Sequence, residues 1–231
     1  MNAAIIFAKG SEKGKRNINL YLVDGKPLIY YSIKAALDTV SIQSVFVSTD
    51  DEEISHIAGG FSCRIIRRKI STDHDGMGPA IVEAVNQINE RNEFENIVLL
   101  SGNTAMVNSH LIEKALDVLK KKNDVSSVIS VWKAKHDHPN FALIKKNNTV
   151  SPLLDKPIPD DVYFYDGSVC AIRSKIINHR CFNFRNWWAY LPDCVFLVRP
   201  WPTGRDVHDS YGLALARWWI ENALIDVSEE L

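Results

Sequence analysis

Ala4-Ile5-Ile6-Phe7-Ala8-Lys9-Gly10-Ser11-Glu12-Lys13-Gly14-Lys15-Arg16-Asn17, followed shortly by Gly25-Lys26-Pro27-Leu28-Ile29, is the stretch that decides the fold. A short apolar run gives way at once to small and basic residues, and a Gly-Lys-Pro then opens a helical pattern. The spacing predicts a buried strand over 3–7 that delivers its carboxyl end into a positively charged loop. Gly10 and Gly14 permit close backbone approach there, and Lys9, Lys13, Lys15 and Arg16 supply charge and donors. Such a loop suits the phosphates of a nucleotide. A solvated basic turn is the plainer alternative, and the loop by itself leaves both open. It is not a Walker loop: Gly10 and Gly14 stand one residue too close, and Arg16 occupies the place of the magnesium-binding Ser or Thr. No G-x-G-x-x-G dinucleotide fingerprint is present either.

Outward from this stretch, strand-like runs alternate with helical patterns. Pro27 starts a helix through Leu37, and Val45 to Ser48 forms the next strand, ahead of a helix over Glu52 to Ala58. Asp51, Glu52 and Glu53 suit the positive helix end, a structural role. Pro79 begins a helix through Asn89, and Ile97 to Leu100 is a central strand. Asn108 or Ser109 caps a helix that ends in Lys120-Lys121-Lys122, and Val125 to Trp132 is again a strand. Such alternation predicts an α/β protein, a mostly parallel sheet with helices on both faces. Ligands bind beyond the carboxyl ends of such strands, where the basic loop, Ser48-Thr49-Asp50 and Ser101-Gly102-Asn103 all fall. From about 135 to 193 the rhythm changes to short strands, turns and prolines, an irregular extension within a single domain over 1–231. A last helix runs from Tyr211 to Leu224.

Composition bounds the function. The chain has 231 residues, 46% apolar and 24% charged, with a formal net charge of -1. That near-neutral balance argues against a general nucleic-acid or membrane-surface binder. No apolar run reaches membrane-spanning length and the N-terminus lacks a signal-peptide layout, so a cytoplasmic location is expected. Cys63, Cys170, Cys181 and Cys194 are too scattered for a metal site and are read as reduced thiols. His136-Asp137-His138 and His74-Asp75 are read as surface polar groups.

Ala8, Gly10, Lys13, Gly14, Asn17 and the whole of Gly25 to Ile29 match the opening of the acylneuraminate and 3-deoxy-manno-octulosonate cytidylyltransferases, A-R-G-G-S-K-G, then K-N, then G-K-P-L-I. Lys9 replaces the arginine, Ser11 the second glycine and Glu12 the serine. Val45 to Ile54 is similar to their V-V-V-S-T-D-D-E-E-I, and Tyr165 to Arg173 to their N-G-A-I-Y-A-I-R, with Asp166 where asparagine is usual. The resemblance implies a three-layer, Rossmann-like nucleotidyltransferase fold, with a small dimerisation extension and a homodimer. It implies CTP-dependent transfer of CMP to a sialic-acid-like or 2-keto-3-deoxy acid, with release of pyrophosphate. Two alternatives are a cytidylyltransferase with a non-sugar-acid acceptor and a catalytically impaired nucleotide-binding homologue, which Glu12 in the loop favours.

Site residues follow from the same resemblance. Lys13, with Lys9 and Arg16, neutralises the triphosphate and the leaving group. Ala8, Gly10, Ser11, Gly14, Asn17, Ser101, Asn103 and Thr104 hold the nucleotide. Arg68 and Asp166 face the small acidic acceptor. The family's D-I-D, whose carboxylates bind magnesium, corresponds to Asp206-Val207-His208. Asp206 matches the first carboxylate and His208 replaces the second, so Asp209 is expected to serve as the other ligand by a one-residue shift. A helix-capping role for Asp209 is the structural alternative.

Overall fold

The computed structural model describes residues 1–10, 17–68, 76–90, 93–199 and 206–222. The strands are β1 (Asn2–Ala8), β2 (Leu22–Val23), β3 (Lys26–Pro27), β4 (Ser44–Thr49), β5 (Arg64–Arg67), β6 (Asn96–Ser101), β7 (Ser127–Lys133), β8 (Leu143–Lys146), β9 (Thr149–Pro152), β10 (Tyr163–Arg173) and β11 (Cys194–Arg199). The helices are α1 (Leu28–Leu37), α2 (Glu52–Gly59), α3 (Gly78–Ile88), α4 (Ser109–Lys121) and α5 (Ser210–Glu221).

Among the described residues, β11-β7-β10-β6-β1-β4-β5 form one seven-stranded sheet. β1 pairs in parallel with β4 on one side and β6 on the other, and β4 with β5 and β7 with β11 are also parallel. β10 alone runs antiparallel, between β6 and β7. Within 135–193, read from the sequence as short strands, turns and prolines in an extension, β10 is an eleven-residue core strand. Only the exposed β8–β9 hairpin and a set of short 3-10 turns fit the description of an extension.

Side-chain alternation explains why β1 reads as an unbroken apolar run. Ala4, Ile6 and Ala8 pack on one face of the sheet, with residues of α1, α2 and α4. Ala3, Ile5 and Phe7 point to the other face, against α3 and the turns around Phe182 and Trp187. A strand covered on both faces has no solvent side to mark with polar residues. Asn108 caps α4 by accepting from Leu111 N–H, and Asp51 caps α2 by accepting from Glu53 and Ile54 N–H. The far end of α4 is held by Arg173, whose guanidinium donates to the carbonyls of Leu119, Lys122 and Val125. Cys63, Cys170, Cys181 and Cys194 are free thiols, as expected. His138 departs from expectation: it is buried, caps a 3-10 turn, and bonds the Pro159 carbonyl through Nε2 at 3.1 Å.

Candidate active site

β1 ends at Ala8, still in register with Thr49 of β4, and there the chain enters the basic loop. Three backbone groups at that turn are held by side chains from elsewhere. Ala8 C=O accepts from Arg68 at 3.4 Å. Lys9 C=O accepts from Asn17 at 3.1 Å and from Asn19 at 2.9 Å. Gly10 N–H donates to Asp50 Oδ1 at 2.8 Å. Asn17 also donates to Asp51 at 3.0 Å, so the far end of the loop is tied to the start of α2. The root of the loop is thereby fixed on both sides before any ligand arrives. Ser11, Lys13, Gly14 and Arg16 lie outside the described residues.

Asn17 was expected to hold the nucleotide. It is buried and its amide is spent on backbone and side-chain bonds, so it shapes the loop. Asn19 shares that work, unmarked by sequence reasoning.

The β6 end is built in a similar way. Gly102 donates to Phe7 C=O at 2.9 Å, and a Cβ there would stand 2.8 Å from both Ala8 Cβ and Asn19 Oδ1. Only glycine lets the two strand ends approach so closely. Buried Ser32 on α1 donates to the carbonyls of Ser101 and Thr104. Asn103 is expended on Val207: its side chain donates to Val207 C=O at 2.8 Å, and its carbonyl accepts from Val207 N–H at 2.9 Å. Thr104 is fully buried, with its hydroxyl 3.4 Å from Gly167 C=O. Of the three expected base or sugar contacts on this loop, Ser101 lines the cavity, whereas Asn103 and Thr104 brace its wall.

The Asn103–Val207 tie brings Asp206 and His208 to the same mouth. His208 Nε2 lies 2.7 Å from Asp206 Oδ2. Gly167, at φ +73, sits in the β10 bulge, and a Cβ on it would reach 3.1 Å from Asp206 Cγ. A cavity of about 370 Å³ opens here. Phe7, Ile81 and Leu99 form its floor, Tyr165, Trp187 and Trp188 an aromatic side, and Ser101, Asp206 and His208 its polar edge. The tryptophan pair, open in the sequence between core and partner surface, thus divides: Trp187 is buried and stacks on Phe182, and both line this cavity.

Three expected ligands lie elsewhere. Asp166 is fully buried, ion-paired to Arg199 at 3.1 Å and bonded by Ser130 and Ser168. Burial pushes its carboxyl above the usual range, against the pull of Arg199. It is a core network residue, hidden from an acceptor. Arg68 is buried and engages the loop root and Asp50 rather than the cavity. Asp209 caps α5 by accepting from Gly212 N–H at 2.7 Å, the structural alternative.

Among the described residues no group of three or more His, Cys, Asp or Glu is placed to hold a metal. Magnesium needs less from a protein: one or two carboxylates, with substrate phosphates and waters completing the shell. Asp206 fits that role through Oδ1, its other oxygen being taken by His208. Among the described residues, no helix is long and apolar enough to cross a membrane.

A doubly wound, mostly parallel sheet with a glycine-rich basic loop after β1 defines the Rossmann-like nucleotidyltransferase class. The cytidylyltransferase family profile matches residues 3–182. The chain belongs to that family. It is 27% identical over 199 residues, 81% of its own length, to N-acylneuraminate cytidylyltransferase of Oncorhynchus mykiss. It is 26% identical over 151 residues, 62% of its length, to 3-deoxy-manno-octulosonate cytidylyltransferase of Thermodesulfovibrio yellowstonii. The chain spans 44% and 58% of these relatives' own lengths. The solved CMP:2-keto-3-deoxy-manno-octonic acid synthetase in complex with CTP superposes with a TM-score of 0.69 at 16% identity, covering 96% of this chain and 99% of that one.

Proposed function

We propose that this protein transfers CMP from CTP to a hydroxyl of an acidic sugar, releasing pyrophosphate. The observation that carries the reading is one cavity lined by Phe7 of β1, Ser101 at the end of β6 and Asp206, with the braced loop root at Lys9 and Gly10 following directly on β1. In this reading the acceptor lies in the cavity and its hydroxyl attacks the α-phosphorus of CTP in line. The bond from that phosphorus to the bridging oxygen breaks, pyrophosphate leaves with the electron pair, and the hydroxyl proton passes to water. Lys13, Lys9 and Arg16 neutralise the triphosphate and the leaving group, so the chain works by positioning and electrostatics. Magnesium, held by Asp206, would add positive charge at the phosphates. The braced strand ends contribute rigidity: Asn17, Asn19, Ser32 and Asn103 fix the groups around the reacting centre before substrate binds.

The apolar lining formed by Ile81, Leu99, Trp187 and Trp188 favours a second reading, the same transfer to an acceptor that is not a sugar acid. Pyrophosphate release with CTP, magnesium and a panel of acceptors separates the two. Turnover with sialic acid or 3-deoxy-manno-octulosonate supports the first, and turnover only with uncharged alcohols supports the second. No pyrophosphate from any acceptor, with CTP bound, would contradict both.

The working unit is proposed to be a homodimer joined by the β8–β9 hairpin. Its support is the apolar surface there: Leu143 and Val150 are each 67% exposed, with Phe141 and Leu153 beside them.

A further inference from the structure

At the root of the basic loop a carboxylate occupies a position that suits a phosphoryl oxygen. Gly10 is the last described residue before the basic loop. Its N–H donates to Asp50 Oδ1 at 2.8 Å. The same oxygen accepts from Arg68 Nη2 at 2.6 Å. Arg68 is held in place by burial, its side chain only 2% exposed, whereas that of Asp50 is 46% exposed. The second terminal nitrogen of the guanidinium, Nη1, is buried with no hydrogen-bond partner among the described residues. A buried donor left unmade on a charged group is costly, so its persistence calls for an acceptor that arrives from outside. Asp50 answers only part of this fork, whereas a phosphoryl group carries more acceptor oxygens and pairs with arginine bidentately.

Resting on the nucleotide reading above, we propose that Asp50 is a placeholder: it occupies an anion position formed by Gly10 N–H and Arg68, and a phosphoryl group of the triphosphate displaces it. The carboxylate keeps the loop root ordered and Arg68 neutralised while the site is empty. On binding, Asp50 swings toward solvent, for which its exposure leaves room, and the phosphoryl oxygens take over its two donors and engage Nη1. The charge of Asp50 is then a cost of binding, because a carboxylate near a triphosphate repels it. Asp50 is in this sense a specificity device: it yields to a multiply charged phosphate and not to a weaker anion.

The test is calorimetric titration of the full chain, at low salt with magnesium, using CTP and inorganic tripolyphosphate as probes. The Asp50→Asn variant keeps an oxygen for Gly10 N–H but removes the charge, and is expected to bind both probes about three- to tenfold more tightly. That gain should shrink as salt is raised. Arg68→Lys, which keeps charge but loses the fork, is expected to bind both more weakly. Unchanged or weaker binding by Asp50→Asn would overturn the placeholder and leave Asp50 a buttress, and an indifferent Arg68→Lys would do the same. CTP-selective binding with an indifferent Asp50→Asn would leave the transferase reading intact while removing the placeholder. Tighter tripolyphosphate binding by Asp50→Asn without any preference for CTP would support the placeholder and remove the cytidine reading.

Discussion

Asp50 also carries the clearest pH signature of the site. Burial alone would raise its carboxyl, but the Gly10 N–H and the Arg68 guanidinium outweigh that and hold it below the ordinary value. A carboxyl depressed in the folded state contributes stability that is present above its unfolded value, about 3.9, and is lost as pH falls through the folded value. The wild-type melting temperature should therefore exceed that of Asp50→Asn at neutral pH, and the gap should close below about pH 4. A gap that stays constant from pH 7 to pH 3 would contradict the ionised clamp. Asn17→Ala should cost about 1–3 kcal/mol in urea unfolding, because it strips buried partners from Asn19 and Lys9. These bonds are also why the residue-level site was only half legible. The glycines and lysines of the loop announce themselves by type, whereas Asp50 meets Gly10 across 40 residues and Arg68 meets Ala8 across 60. Nothing local in the sequence marks Asp50 or Asn19 as partners of the loop.

At the scale of elements, the strands and helices up to residue 133 other than β2, β3 and β5 were readable because each carries its own period, caps and breakers. Pro27, Asn108 and the acidic turn after Asp51 mark boundaries that the structure keeps within about two residues. β10 was not readable in the same way. Its apolar half, Val169 to Ile172, resembles any buried strand, and its antiparallel insertion between β6 and β7 depends on non-local pairing. The bulge between Tyr165 and Cys170 turns Asp166 inward to Arg199, where the family comparison pointed it at an acceptor. Arg199 in turn ties β11 to the Met106 carbonyl at 2.6 Å. Arg199→Met should destabilise the fold by about 3–5 kcal/mol, since it leaves a buried carboxylate unpaired. Adding Asp166→Asn should recover part of the loss in denaturant titration. A single variant as stable as wild type would show that the pair is dispensable.

For the molecule as a whole, the sheet places the ends of β1 and β6 and the bulge of β10 around one cavity, and the family assignment agrees with that architecture. The proposed homodimer rests on the exposed hairpin. Light scattering should give twice the 26.1 kDa chain mass for the wild type. Leu143→Glu with Val150→Glu should return the monomer with unchanged circular dichroism, because both side chains are exposed. A wild-type monomer would remove the hairpin's proposed role. The central claim, a cytidine nucleotide at the braced loop beside Asp206, is tested most directly by thermal-shift titration with CTP, UTP, ATP and GTP, each with and without magnesium. A ligand that binds only the folded state raises the melting temperature once its concentration passes its dissociation constant. The account predicts a shift selective for CTP and enlarged by magnesium. No shift with any nucleotide, or an equal shift with all four, would contradict it.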